Sequence, residues 1–163
     1  MNKKYVVMGV SGCGKSSIGA QLAQELGIPF FDGDDFHPAE NVAKMQSGQP
    51  LTDQDRQSWL ESLNHLINTN EHLVLACSAL KPEYRNQLRE GNQSLQFIYL
   101  QGDFDTIWSR HQKRENHYFN GEAMLHSQFE TLVEPEQQEA IYIDIRHTPQ
   151  QIIDEILAQI TVR

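Results

Sequence analysis

The chain has 163 residues, 39% hydrophobic and 21% charged, with 10 glycines and 6 prolines, a make-up that fits one globular domain and excludes collagen-like or disordered polymers. Lys and Arg number 13 against 22 Asp and Glu, so the formal charge of −9 sets up a field that repels nucleic acid and anionic membrane surfaces. No apolar stretch approaches the roughly 20 residues of a membrane span, residues 1–8 are too short for a secretory signal, and Cys13 and Cys77 are too few for a disulfide framework, so a cytoplasmic protein with free thiols is expected.

In chain order, residues 4–9 form the first of five predicted strands. The sequence Gly9-Val10-Ser11-Gly12-Cys13-Gly14-Lys15-Ser16 follows it and matches G-x-x-x-x-G-K-[ST] at every fixed position. The helix that comes next is signalled by Ile18, Leu22, Ala23 and Leu26 on one face, with Gly27 as a left-handed cap. Strand, glycine-rich loop and helix in that order make a phosphate cradle, in which successive backbone N–H groups and a helix N-terminus point at phosphate oxygens. Lys15 is expected to reach the β- and γ-phosphates of ATP and the Ser16 hydroxyl to be a ligand for Mg²⁺. The whole run from Gly9 through Ser16, with Ser17, is the expected nucleotide-binding set, and Cys13 reads as a small filler between glycines.

The second predicted strand, residues 28–32, ends in Asp32-Gly33-Asp34-Asp35-Phe36-His37-Pro38. Phosphoryl transfer to a hydroxyl needs a group to take its proton, and Mg²⁺ prefers hard oxygen ligands. One or two of these acids also serve the turn and the helix after Pro38. Asp34 is assigned to the acceptor site and Asp32 to a water-mediated metal contact, with the division of roles among Asp32, Asp34 and Asp35 left open. A capping box, Thr52 with Asp55, starts a helix carrying Trp59, Leu60, Leu63, Leu66 and Ile67 on one face, with Trp59 expected in the core. The third strand, residues 72–77, has no acid at its end, which argues against a motor or switch-type ATPase. The fourth and fifth strands fall at residues 95–100 and 140–145, with the core-facing Trp108 on the segment between them. Thr148, Pro149 and Gln151 then open a last helix with Ile152, Ile153, Ile156, Leu157 and Ile160 along one stripe. Alternating strands and helices predict a parallel sheet with helices on both faces and a ligand site beyond the carboxyl ends of the strands.

Several longer runs are more specific than the phosphate cradle. Asp32 to Pro38, Asn41, Lys44-Met45, residues 47–53 with Asp55-Arg56 and Trp59-Leu60, Cys77-Ser78-Ala79-Leu80-Lys81 with Tyr84-Arg85, residues 97–100, Gly102, Arg110, Arg114, His117, Phe119, and Ser127-Gln128-Phe129 with Leu132 and Glu134-Pro135 together resemble the gluconokinase family of P-loop small-molecule kinases. The resemblance spans nearly the whole chain. It implies a nucleoside-monophosphate-kinase-like fold with a five-stranded parallel sheet, a lid around residues 114–123 and a homodimer. It also implies ATP-dependent phosphorylation of D-gluconate to 6-phospho-D-gluconate, which feeds gluconate catabolism and the pentose phosphate pathway.

Gluconate is a polyol bearing a carboxylate, so its pocket is expected to combine cations with short polar groups. Placement within these motifs assigns Arg56, Lys81 and Arg85 to the substrate, with His37, His117 and Gln128 beside them. Arg110 and Arg114 lie four apart and are assigned to ATP, with Arg114 closing over the transferred phosphoryl group as a catalytic cation beside Lys15 and Asp34. Two other readings compete: a kinase for another hydroxy acid such as shikimate, and a nucleotide-binding regulatory module without transfer chemistry. The first gives no reason for the Asp55-Arg56 and Ser78 to Lys81 runs, and the second needs neither an acceptor carboxylate nor lid arginines.

Overall fold

Apolar side chains run without interruption through the strands, as they must where both faces of a sheet are covered. A computed structural model describes residues 3–111 and 122–162 of the chain. Its strands are β1 (Lys4–Met8), β2 (Phe30–Asp32), β3 (Leu73–Ala76), β4 (Gln96–Gln101) and β5 (Ala140–Asp144), all parallel and ordered β2-β3-β1-β4-β5. Each lies within a residue or two of its predicted span. Between and after them run α1 (Lys15–Leu26), α2 (Ala39–Gln46), α3 (Asp53–Thr69), α4 (Pro82–Arg89), α5 (Phe104–His111), α6 (Glu122–Thr131) and α7 (Pro149–Val162), with a 3₁₀ turn at Gly33–Phe36.

Alternation along β1 divides the core between two faces. Tyr5 and Val7 join Ile18 and Leu22 of α1 and Ile152, Ile153 and Ile156 of α7, while Val6 and Met8 join Trp59, Leu60, Leu63 and Ile67 of α3 and Leu88 of α4. Burying each of these large side chains stabilises the fold by roughly 1.5–3 kcal/mol. The helix starts are built as their sequences predict. Thr52 accepts from the N–H of Asp55, whose carboxylate accepts from the N–H of Thr52. Thr148 and Gln151 make the same reciprocal pair at α7. Gly27, at φ 69°, ends α1.

Strand order places β1 and β3 side by side at the centre, so the loops leaving their carboxyl ends share one edge with the end of β2. Gly9 N donates to Ser78 O at 3.3 Å, tying the loop after β1 to the loop after β3. Gly33, just past β2, lies so close to β3 that a Cβ there would sit 2.7 Å from Ala76 O. Only a glycine lets the acidic turn pack this tightly against the neighbouring strand.

Candidate active site

The loop between β1 and α1 turns through Gly12 and Gly14, both at positive φ (87° and 94°), and Cys13 N donates to Val10 O at 3.2 Å across the turn. Cys13 is buried under the loop, as a filler residue should be. Lys15 opens α1 from the cradle. The next residue, Ser16, donates its hydroxyl to Asp32 Oδ2 at 2.7 Å, so the end of β2 stands directly opposite the helix start. The other oxygen of Asp32 accepts the N–H of Asp34 at 3.0 Å and caps the 3₁₀ turn. Asp32 is therefore both the structural acid of the turn and the partner of Ser16. Asp35 is exposed, and Asp34 lines a cleft.

That cleft is lined by Lys15, Asp34, His37, Leu51, Arg56, Trp59, Ser78, Leu80 and Gln128. Burial pushes the Asp34 carboxyl above its ordinary range; Lys15 opposes the shift, and Asp32 and Asp35 add to it. His37 stacks on Trp59 at 4.1 Å between ring centres, and the Trp59 N–H donates to Gly33 O at 2.7 Å, which fixes both rings against the turn. Burial, with the Arg56 charge adding to it, lowers His37 to about 4. The neutral ring faces Asn41 Nδ2, a donor, across 3.4 Å at Nδ1, which leaves the proton on Nε2, 3.8 Å from Asp34 Oδ1.

Arg56 lies one turn into α3, where the Thr52 box sets the start of the helix. Its guanidinium donates to Leu51 O at 2.9 Å and to the Tyr84 hydroxyl at 3.0 Å. Tyr84 in turn donates to Asp53, which also holds Lys81 at 3.0 Å. Hydrogen bonds from Tyr84 and then Lys81 keep the Asp53 carboxyl below its usual range. Asp53, Tyr84 and Arg56 thus form a chain that ends at the cleft.

Two of the cations assigned to substrate do not line the cleft. Lys81 carries its ammonium to Asp53 at the surface, because it caps α4 beside the start of α3. Arg85 is 1% exposed and donates through Nε to Glu139 at 2.8 Å and through a terminal nitrogen to Ala79 O at 2.8 Å. A buried guanidinium requires such partners, and they hold Arg85 behind the wall of the cleft. Its contribution is to that wall. Ala79 sits at φ 46°, a costly conformation for a residue with a Cβ. The carbonyls of Ser78, Ala79 and Leu80 are each held, by Gly9 N, Arg85 and Val133 N respectively.

Gln128 of α6 does line the cleft, and its Oε1 accepts from Ser11 N of the phosphate loop at 2.6 Å. Arg110 on α5 donates to Ile145 O at 2.6 Å, at the carboxyl end of β5. Arg114 and His117 lie outside the described residues, as does most of the expected lid. Sequence reasoning placed Trp59 in the core. It is buried, but it is also a wall of the site, and Leu51, Leu80 and Ser78 are further members that the motif runs contain without marking.

A serine hydroxyl and a carboxylate side by side at the phosphate cradle are hard oxygen donors of the kind Mg²⁺ takes. No helix among the described residues is long and apolar enough to cross a membrane.

Comparison with known proteins agrees with this geometry. A shikimate kinase family model matches residues 11–161. The thermoresistant gluconokinase of Escherichia coli (strain K12) is 49% identical over 86% of this chain and 83% of its own. A crystal structure of a gluconokinase from Sinorhizobium meliloti 1021 superposes with a TM-score of 0.89 at 40% identity, covering 96% of this chain and 90% of that one. Shikimate kinase from Aquifex aeolicus shares the fold at a TM-score of 0.64 and 16% identity, over 97% and 96% of the two chains. A P-loop cradle facing an acidic turn, together with these likenesses along the chain, places the protein in the gluconokinase family of P-loop kinases.

Proposed function

We infer that the chain transfers the γ-phosphoryl group of ATP to D-gluconate, giving ADP and 6-phospho-D-gluconate. The observation that carries this reading is the cleft that brings Lys15, Asp34 and Arg56 together beside the phosphate loop. Lys15 and the loop N–H groups hold the phosphates, and Asp34 takes the proton of the acceptor hydroxyl as that oxygen bonds to phosphorus and the bond to the ADP oxygen breaks. Its raised pKa makes Asp34 a stronger base than an exposed aspartate. Neutral His37, with its N–H toward Asp34, orients the carboxylate without competing for the proton. Arg56, held by Tyr84 and Leu51, is placed for the substrate carboxylate. Ser16 and Asp32 are the residues that would hold Mg²⁺, which when bound would offset charge on the phosphate oxygens.

Arg114 is proposed to reach over the transferred phosphoryl group, with Arg110 on the nucleotide and His117 near the acid. This reading includes a homodimer and a cytoplasmic setting, where the product enters gluconate catabolism. Turnover of ATP with gluconate, shikimate and other sugar acids tests the substrate. Gluconate-dependent ADP release is expected, and equal slow release with or without any acid would favour a regulatory nucleotide-binding role. Arg114→Lys is expected to lower kcat and kcat/KM together, because an ammonium cannot span two phosphate oxygens as a guanidinium does; a defect in KM alone would assign Arg114 to binding. Light scattering reads the oligomeric state.

A further inference from the structure

The gluconate kinase reading leaves one contact between the two halves of the site without a role. Gln128 reaches from α6 to the phosphate loop and at the same time lines the acceptor cleft. It is 6% exposed, in a position where a polar side chain is retained only with partners. Ser11 N is an obligate donor, so the atom facing it at 2.6 Å must be the carbonyl oxygen of the carboxamide. That assignment fixes the other end. Nε2 has no hydrogen-bond partner among the described residues and belongs to a side chain on the cleft wall. The Ser11 hydroxyl, also buried, is likewise without a partner. An amide that accepts from the phosphate loop, and whose N–H donors meet no partner among the described residues, offers a hydrogen bond to a hydroxyl oxygen in the cleft.

We propose that Gln128 is a positioning residue that couples the two substrates, with Oε1 fixing the phosphate loop at Ser11 and Nε2 donating to a hydroxyl of the sugar acid. The proposal rests on the assignment of gluconate as acceptor. Because one rigid, planar group serves both contacts, a loop set by nucleotide holds the amide in the orientation that the acid needs. By linkage, the acid strengthens nucleotide binding by the same factor. His37, Asp34 and Arg56 line the same cleft, but among the described residues none of them hydrogen-bonds to the phosphate loop, which sets Gln128 apart from them.

The test is calorimetric titration of gluconate into the protein alone and into the protein saturated with a non-hydrolysable ATP analogue, for wild type, Gln128→Met and Gln128→Glu. Wild type is expected to bind gluconate several-fold more tightly with the analogue present. Gln128→Met, which keeps the shape and loses both hydrogen bonds, should bind gluconate about tenfold more weakly in the ternary complex and bring the coupling ratio near one. Gln128→Glu keeps an oxygen for Ser11 and removes the donor, so it too should lose the coupling, and it serves if the methionine variant does not fold. An unchanged coupling ratio in either folded variant overturns the proposal. So does tighter binding of the analogue with gluconate unaffected, which would make the amide a plug on an empty loop. Wild-type protein that binds no gluconate in the first titration would overturn the substrate assignment itself, an outcome distinct from lost coupling in a variant.

Discussion

Asp34 and His37 are three residues apart and shifted in opposite directions by the same cause. Removing a charge from water disfavours it, so the acid is held up and the imidazole down, to about 4. The ionised form of Asp34 therefore works against folding, although the proposed reaction requires it. Asp34→Asn should lower kcat by about 10²–10⁴, since the amide cannot accept the acceptor's proton, and should raise Tm at pH 7, with ATP binding largely kept. Weakened nucleotide binding at normal kcat would make Asp34 a structural residue. His37 has the opposite consequence for pH. Its folded pKa lies below the unfolded 6.5, so the unfolded chain takes up the proton first, and stability falls as pH drops from 6.5 toward 4. The full effect is on the order of 3 kcal/mol. Urea unfolding at pH 7 and pH 5 should show His37→Gln losing less stability between the two than wild type; equal losses would assign the pH dependence elsewhere.

The wall of the cleft between β3 and α4 depends on one buried cation and one hydroxyl, and they separate stability from binding. Arg85 holds Ala79 O and Glu139, whose carboxyl burial pushes up and the hydrogen bonds from Arg89 and Arg85 hold down below its usual range. Arg85→Ala strands these groups and should cost about 3 kcal/mol, read as a fall in Tm of roughly 10 °C. Tyr84→Phe removes only the hydroxyl that Arg56 donates to, so its effect should be a higher KM for the acid with Tm changed by a few degrees at most. A normal Tm with a raised KM for Arg85→Ala would restore that residue to the substrate. The sequence placed both arginines in one functional class because each lies in a specific motif. Motif membership records that a residue matters, whereas burial and partners decide whether it touches ligand or holds the wall that does.

Across the whole molecule, ligand affinity and stability are linked, because nucleotide binds the folded chain and not the unfolded one. At 100 times its Kd, ATP should stabilise the protein by about 2.7 kcal/mol, or roughly 5–10 °C in Tm. Lys15→Ala should abolish this shift and phosphoryl transfer while the unliganded Tm stays within about 2 °C, since Lys15 is half-buried at the cleft and fills no part of the core. A retained shift would contradict the role of the cradle. The strand positions, the helix starts at Thr52 and Thr148, the phosphate loop and the end of the sheet that carries it were all legible in the chain. Each is a local matter: side-chain period, capping chemistry and backbone freedom act within a few residues. The tertiary structure alone decided that Trp59 is a wall of the site, that Lys81 and Arg85 turn to Asp53 and Glu139, and that Gln128 reaches a loop 117 positions away. Those pairings depend on which elements the parallel sheet brings to one edge, and on where a buried charge or amide finds a partner once water is gone, and neither is encoded within any short window of sequence.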